Sequence, residues 1–204
     1  RDVLGSRGLG DVYKRQDVTR TYALGEVPQI MKDHFTLVAI SNLNLASPIF
    51  KKGCCGMNFD YLARKPFWDR GLDFNHGTGH GVGYLLNIHE GPAGFRYTYR
   101  AGESDAFQPG MVITDEPGIY IEGSHGVRLE NELLVREGEK NEYGEFLYFE
   151  TITYVPFDLD AINPDIMNAE DKERLNTYHA TVYEKVSPYL NDEEKEWLKN
   201  CLLY

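Results

Sequence analysis

Apolar and polar positions along the chain fall into three textures. From Pro28, suited to the first turn of a helix, Met31, Phe35, Val38, Asn42, Leu45 and Ile49 recur at helical spacing. They put a mostly apolar stripe on one face, closed by Lys51-Lys52-Gly53. A second helix is expected within residues 57–69, with Gly71 beyond its end. Ahead of both, DVTRTYALGEVP alternates Val18, Arg20 and Tyr22 with Thr19, Thr21 and Ala23, the pattern of a strand ended by Gly25. From Gly71 to about Asp158 the chain changes to short β-prone runs broken by glycine: LLNIHEGP, GMVITDEPGIYI, HGVRLENELLV and FLYFETITYVPF. These predict a strongly curved antiparallel sheet. After Pro164 helical periodicity returns, with Asn168 as N-cap, acidic residues in the first turn and a stripe of Leu175, Tyr178, Val182 and Val186. Helices flanking such a sheet make the fold α+β.

Composition narrows the function classes. With 204 residues, 42% hydrophobic and 13% aromatic, the chain can bury one sizeable core and a small appendage. No run approaches the ~18 consecutive apolar residues of a membrane span, and no basic-then-apolar leader opens the chain. The expectation is a soluble, cytoplasmic protein. A net charge of -11 argues against nucleic-acid and anionic-membrane partners, which need clustered Lys and Arg. Cys54 and Cys55 are adjacent and Cys201 stands alone, so no disulfide framework is expected.

The candidate chemistry starts in HGTGHGVGYLLNIHEGP, where His76, His80 and His89 lie among glycines. His76 and His80 have the spacing of a zinc-protease helix, but Gly77, Gly79 and Gly81 argue against a helix there. Val82 stands where a dinucleotide loop would need its third glycine. Downstream, Glu116 in TDEPG and Glu130 in VRLEN sit in strand-like runs, where an acid is costly unless it is paired or holds a metal. With Asp17, the chain offers Asp, His, Glu and Glu from four segments. An oxygen-rich set with one imidazole suits manganese or cobalt better than a thiolate zinc site. Two such ions can polarise a carbonyl and hold an attacking oxygen, so the reaction class suggested is amide hydrolysis.

Together, DVTRTYALGEVP, GLDFNHGTGHGVGYLLNIHEGP, PGMVITDEPGIYIEGSHGVRLENELLV, YFETITYVPFD and LNTYHATVYEKVSPYLNDEEKEWLK resemble the pita-bread metallopeptidase family, and within it the long cytosolic Xaa-Pro aminopeptidases. The likeness covers nearly all of residues 17–200. It implies a partial catalytic domain over 17–158 and a C-terminal helical extension over 159–200. It also implies two divalent ions, Mn2+ first and Co2+ or Zn2+ as alternatives, bound by Asp17, His80, Glu116 and Glu130. Glu116 matches the general base. His76 and His89 match non-ligand histidines that contact substrate or move protons, and Arg128 matches an arginine lining the site. The implied reaction releases the N-terminal residue from a peptide with proline second, in a protein that forms a homodimer. A prolidase-type dipeptidase and a non-catalytic peptide-binding module of the same fold are the competing readings.

The ends do not fit this family. Its first metal-ligand aspartate would fall at Ser6, and nothing in RDVLGSRGLGDVYKRQ resembles the expected strand and turn. Residues 1–16 carry four basic and two acidic residues in an otherwise acidic chain. Their codons, like those of CLLY at 201–204, resemble a translated sequencing-library adapter. The expectation is that native sequence begins at Asp17 and continues upstream in the parent gene. A chain lacking that aspartate should bind metal weakly and turn over negligibly.

Overall fold

A proline decides where the first helix ends. The computed structural model describes residues 17–85 and 87–202; of the adapter reading, residues 1–16 and 203–204 lie outside the described residues, whereas Cys201 and Leu202 are helical. Helix α1 (Gln29–Ala46) starts directly after Pro28 and ends at Ser47, which keeps helical φ and ψ, because Pro48 has no N–H with which to continue the ladder. Ile49 is therefore not part of the helical stripe. It opens strand β1 (Ile49–Lys51) with 73% of its surface exposed, and Lys51-Lys52-Gly53 turns the chain out of that strand. Nor is α1 buried along one stripe: His34 to Leu45 are buried on nearly every side, with Asn44 partly exposed. Its polar residues survive this burial because they are paired. Ser41 donates to the Ala63 carbonyl at 2.6 Å, and the Asn42 amide donates to the Asp115 carbonyl at 2.8 Å.

The second helix, α2 (Asp60–Trp68), follows a 3-10 turn at Gly56–Asn58, and Gly71 beyond it has φ +68°. The remaining strands are β2 (Gly79–Val82), β3 (Gly94–Phe95), β4 (Val112–Asp115), β5 (Gly118–Ile121), β6 (His125–Arg128), β7 (Asn131–Asn141) and β8 (Gly144–Thr151). One antiparallel sheet runs β1-β8-β7-β4-β2-β3, and β5 and β6 form a separate hairpin. The class is α+β, as the sequence predicts.

Two predicted strands are absent among the described residues. DVTRT makes a single bridge, Thr19 with Glu130, because the Arg20 side chain takes the place of a ladder. Its guanidinium donates to the carbonyls of Thr19, Glu130 and Val155 and to the Tyr178 hydroxyl. LLNIHEGP is a loop of bends, closed by Gly83 N–H to the Asn87 carbonyl and Glu90 N–H to the Gly81 carbonyl; Leu86 lies outside the described residues.

The C-terminal part is two helices, α3 (Ala169–Val186) and α4 (Asp192–Leu202). Asn168 caps α3 in a reciprocal box with Asp171, and Leu175, Tyr178 and Val182 are buried as the periodicity predicts. They join α1, the β5–β6 hairpin and α4 in one core, while Phe50, Phe59, Phe95, Phe107 and Phe149 fill a second core against the large sheet.

His179 ties α3 to the sheet. It is 2% exposed, and its Nε2 accepts the Phe157 N–H at 3.1 Å, which requires the neutral ring. Burial pushes its pKa down to about 4. A histidine depressed in the folded state contributes stability above the unfolded value of about 6.5 and loses it as pH falls toward 4. We expect about 2 kcal/mol to be lost through this residue between pH 7 and pH 5. His179→Gln, which keeps an acceptor for Phe157, should flatten thermal stability against pH across that window. Parallel curves for the two proteins would contradict this.

Candidate metal centre

Strand register assembles the site. β4 and β7 pair Thr114 with Glu132 and Asp115 with Asn131, so the next step sets Glu116 opposite Glu130. β2 and β4 pair Gly81 with Ile113, which brings His80 opposite Thr114, and the His80 N–H donates to Thr114 Oγ1 at 2.9 Å. The Thr19–Glu130 bridge carries Asp17 to Glu132, whose Oε1 accepts the Asp17 N–H at 3.1 Å. Cross-strand partners share a face, so two adjacent rows form: His80, Thr114, Glu132 and Asp17, then Glu116, Glu130 and Thr19. Three strand spacings would separate the backbones at the ends of the first row by roughly 14 Å in a flat sheet. Here His80 Nε2 lies 3.2 Å from Asp17 Oδ2, because the sheet curls and folds the row onto itself.

Glycine permits that curl beside His80. A Cβ on Gly79 would sit 1.8 Å from the Thr114 carbonyl oxygen, and one on Gly81 would sit 2.0 Å from the Glu90 carbonyl oxygen. Gly79 and Gly81 are thus packing requirements of β2, which is a strand and not the helix that the glycines argue against.

The side chains that converge are acceptors. His80 Nδ1 is 3.0 Å from the Gly81 carbonyl and so carries the ring proton in the neutral form, which leaves Nε2 as a lone pair. That lone pair faces Asp17 Oδ2 at 3.2 Å and Glu116 Oε1 at 3.4 Å. His80, Glu116 and Glu130 each offer a ligand atom within 4.8 Å of the others, as do Asp17, His80 and His89. Lone pairs at these distances repel unless a proton or a cation sits among them. The electrostatics agree. Burial, then Glu116 and Asp17, push Glu130 up to about 7, against the opposing hydrogen bond from Thr19. The hydrogen bond to His80 holds Asp17 below its ordinary value. Burial works against a proton on His80, yet Asp17, the Gly81 carbonyl and Glu116 outweigh it and raise the ring. Three carboxylates and one imidazole nitrogen therefore fit a divalent cation.

The structure brings Asp17, His80, His89, Glu116 and Glu130 together, with Arg128 against Glu116, and leaves His76 outside the cluster. His89 is exposed at the mouth, its ring centroid 3.9 Å from that of His80, so it joins the ligand atoms more closely than its expected non-ligand role implies. His76 is on the other side, with Nδ1 at 2.8 Å from the Gly77 carbonyl and a buried Nε2 without a hydrogen-bond partner. Arg128 points Nη1 at Glu116 Oε2, 3.4 Å away, and donates Nε to the Tyr120 hydroxyl at 2.8 Å.

Several residues of the site were not predicted from sequence. Thr19 donates to Glu130 and Thr114 donates to Glu116, orienting each carboxylate. Arg64, fully buried with Asp60, donates to the carbonyls of Phe74 and His76 at 2.7 Å each and so fixes the chain entering β2. Thr114 and Glu132 each lie two positions from a predicted glutamate, a signal that alternation along a strand already contains.

Comparison with known proteins places the chain. The profile of metallopeptidase family M24 matches residues 12–137, and that of the C-terminal region of peptidase M24 matches residues 145–202. The chain belongs to metallopeptidase family M24. The probable Xaa-Pro aminopeptidase P of Botryotinia fuckeliana is 42% identical over 188 residues, covering 90% of this chain and 29% of that protein. Aminopeptidase P1 of Arabidopsis thaliana is 41% identical over 91% of this chain and 29% of its own length. Among solved structures, an X-prolyl aminopeptidase of Caenorhabditis elegans, described as a cytosolic enzyme with a di-nuclear active site, superimposes with a TM-score of 0.82 at 36% identity, over 92% of this chain and 31% of that one. This M24 chain thus spans about three tenths of the length of these relatives. The fold is the pita-bread fold of that structure. Among the described residues no helix is long and apolar enough to cross a membrane.

The metal-free M24 site should be unstable to deprotonation. A carboxyl raised in the folded state contributes stability below its unfolded pKa of about 4.5, lost as pH rises through 7. With chelator present, Glu130→Gln should therefore raise stability at pH 8 by up to about 3 kcal/mol relative to the parent chain and leave it nearly unchanged at pH 4.5. Thermal melts at the two pH values check this; equal stability at pH 8 would contradict it.

Proposed function

We propose that this chain is the metal-binding part of the catalytic domain of a Xaa-Pro aminopeptidase, which releases the N-terminal residue from peptides with proline second. One observation carries the choice within the family. The nematode X-prolyl aminopeptidase covers 92% of the chain with a TM-score of 0.82, whereas a Bacillus anthracis Xaa-Pro dipeptidase of the same 36% identity covers 71% with 0.56. That difference favours the aminopeptidase over the prolidase-type reading. The clustered acceptors favour an enzyme over a metal-free binding module.

Asp17, His80, Glu116 and Glu130 would hold two divalent ions, a reading supported by the acceptor set and by the di-nuclear site of the nematode relative. Mn2+ suits a site with three carboxylates and one imidazole, with Co2+ or Zn2+ as alternatives. Such ions supply polarisation of the scissile carbonyl and stabilise the charge that develops on it. The chain's own residues do the rest. Glu116, with the Arg128 guanidinium 3.4 Å from its Oε2, takes a proton from the attacking water. His89, at the mouth, delivers a proton to the leaving prolyl nitrogen. His76 offers its unpartnered Nε2 to a substrate donor. A prolyl amide has no N–H, so recognition falls on the ring and the carbonyl, and the exposed Tyr120 ring, packed edge-on to His76, offers an apolar face. The partner is thus a peptide; the acidic charge disfavours nucleic acid and membrane surfaces.

We divide the chain into catalytic sequence over 17–158 and a helical extension over 159–200. Cytoplasmic location is supported by the nematode enzyme, described as cytosolic; a homodimer rests on the family resemblance.

The test is hydrolysis by the full-length parent protein of a pentapeptide with proline second, against the same peptide with alanine there and against a Xaa-Pro dipeptide. We expect Mn2+-dependent cleavage of the first peptide only, and a fall in kcat/KM of at least ~100-fold for Glu116→Gln. Metal-independent cleavage, or cleavage of the dipeptide alone, would refute the proposal.

A further inference from the structure

We propose that Glu132 is a positioning residue of this centre: its carboxylate holds the Asp17 main chain so that the Asp17 side chain meets His80. The inference rests on the metal reading above. Glu132 stands in the first row between Thr114 and Asp17, 7% exposed, on the face that carries the ligands. Its main chain is fully engaged with the end of β8, since its N–H donates to Thr153 Oγ1 at 2.9 Å and its carbonyl accepts the Ile152 N–H at 3.0 Å. Only the side chain is left to act, and it accepts the Asp17 N–H at 3.1 Å.

That bond matters because the other main-chain anchors of this segment lie beyond Asp17: Thr19 bridges Glu130, the Arg20 and Thr21 side chains donate to the Glu130 and Arg128 carbonyls, and the Ala23 N–H donates to Asp158. Asp17 lies two residues before the bridge, and its carboxylate must reach His80 Nε2 across the curl. Among the described residues Glu132 belongs to neither group of ligand atoms within 4.8 Å of one another. It therefore supports a ligand without being one. A buried carboxylate is costly where an apolar side chain would fill the same space, and the Asp17 N–H is what compensates it.

The acceptor, not the charge, should be what counts, so glutamine should replace glutamate. The experiment titrates Mn2+ into the 204-residue chain, its Glu132→Gln variant and its Glu132→Leu variant, following paramagnetic broadening of the His80 ring signals. Amide hydrogen exchange at Asp17 is measured in chelator. We expect the glutamine variant to bind within ~3-fold of the parent, the leucine variant to bind ~10–100-fold more weakly, and only the leucine variant to lose protection at Asp17. Leucine behaving like the parent, or glutamine losing as much as leucine, would overturn the role. Should the leucine variant fail to fold, an unprotected Asp17 amide in the parent chain overturns it without any variant. Absence of broadening at His80 in the parent chain overturns the metal reading and this role together, whereas broadening with a leucine variant that binds normally overturns this role alone.

Discussion

The rest of the site depends on a crowd of lone pairs that have no reason to meet except a positive charge between them. Asp17, Glu116 and Glu130 come from three separate segments and His80 from a fourth, and their acceptors gather in two groups that share His80, within 4.8 Å in each. In water such groups would stay apart; inside a curled sheet the low dielectric makes their repulsion stronger. The rise of Glu130 to about 7 is the direct expression of that repulsion and of burial. A divalent ion removes it, so the geometry that makes the metal-free protein less stable is the geometry that makes the loaded one tight.

Two arginines show how the fold keeps this arrangement from relaxing. Arg20 sits behind the row, joined to the Glu130 and Val155 carbonyls and to Tyr178 of α3, with the Phe157 ring 4.8 Å beneath its guanidinium. Arg64, paired with Asp60 and Asp73, lies between the rings of Phe74 and Tyr97 and grips the chain that leads into His76 and His80. Arg20 spends its donors chiefly on backbone carbonyls, and Arg64 divides its own between two carboxylates and two carbonyls. They set where strands run and leave the ligand carboxylates to the metal. The helical extension thereby reaches the centre through Tyr178 and Arg20, although none of its residues points into it.

Much of this was legible in the sequence, and what was not has physical causes. Asn168, the stripe through Leu175, Tyr178 and Val182, and the antiparallel runs from Gly110 to Thr151 are local signals, so they are readable locally. Ile49 was misplaced because helical spacing continues past Pro48 on paper, whereas a helix cannot. DVTRT alternates like a strand, but strand formation depends on neighbours, and here a side chain displaces the ladder. In LLNIHEGP the apolar run is real but the glycines on either side close it into a loop. The candidate ligands were singled out as an oxygen-rich set with one imidazole, and the family resemblance assigned their roles. Thr19, Thr114 and Glu132 follow only once register is known, since each is defined by what lies across from it.

Asp115 shows why register matters on both faces. It lies next to Glu116 along β4 and so points to the opposite side of the sheet, where both its carboxyl oxygens are buried without a partner. Burial, then Glu116 and Glu130, push its pKa well above the ordinary range. Were it ionised, a further negative charge would stand one strand thickness behind the ligands and add to the repulsion the metal must overcome. Alternation thus separates two acids of one TDE triplet into different surroundings, Glu116 on the face with His80 and Glu130 and Asp115 packed behind the sheet. A one-residue slip of β4 would exchange them. The pairing of β4 with β7 on one side and β2 on the other is therefore what selects the carboxylate that faces the centre.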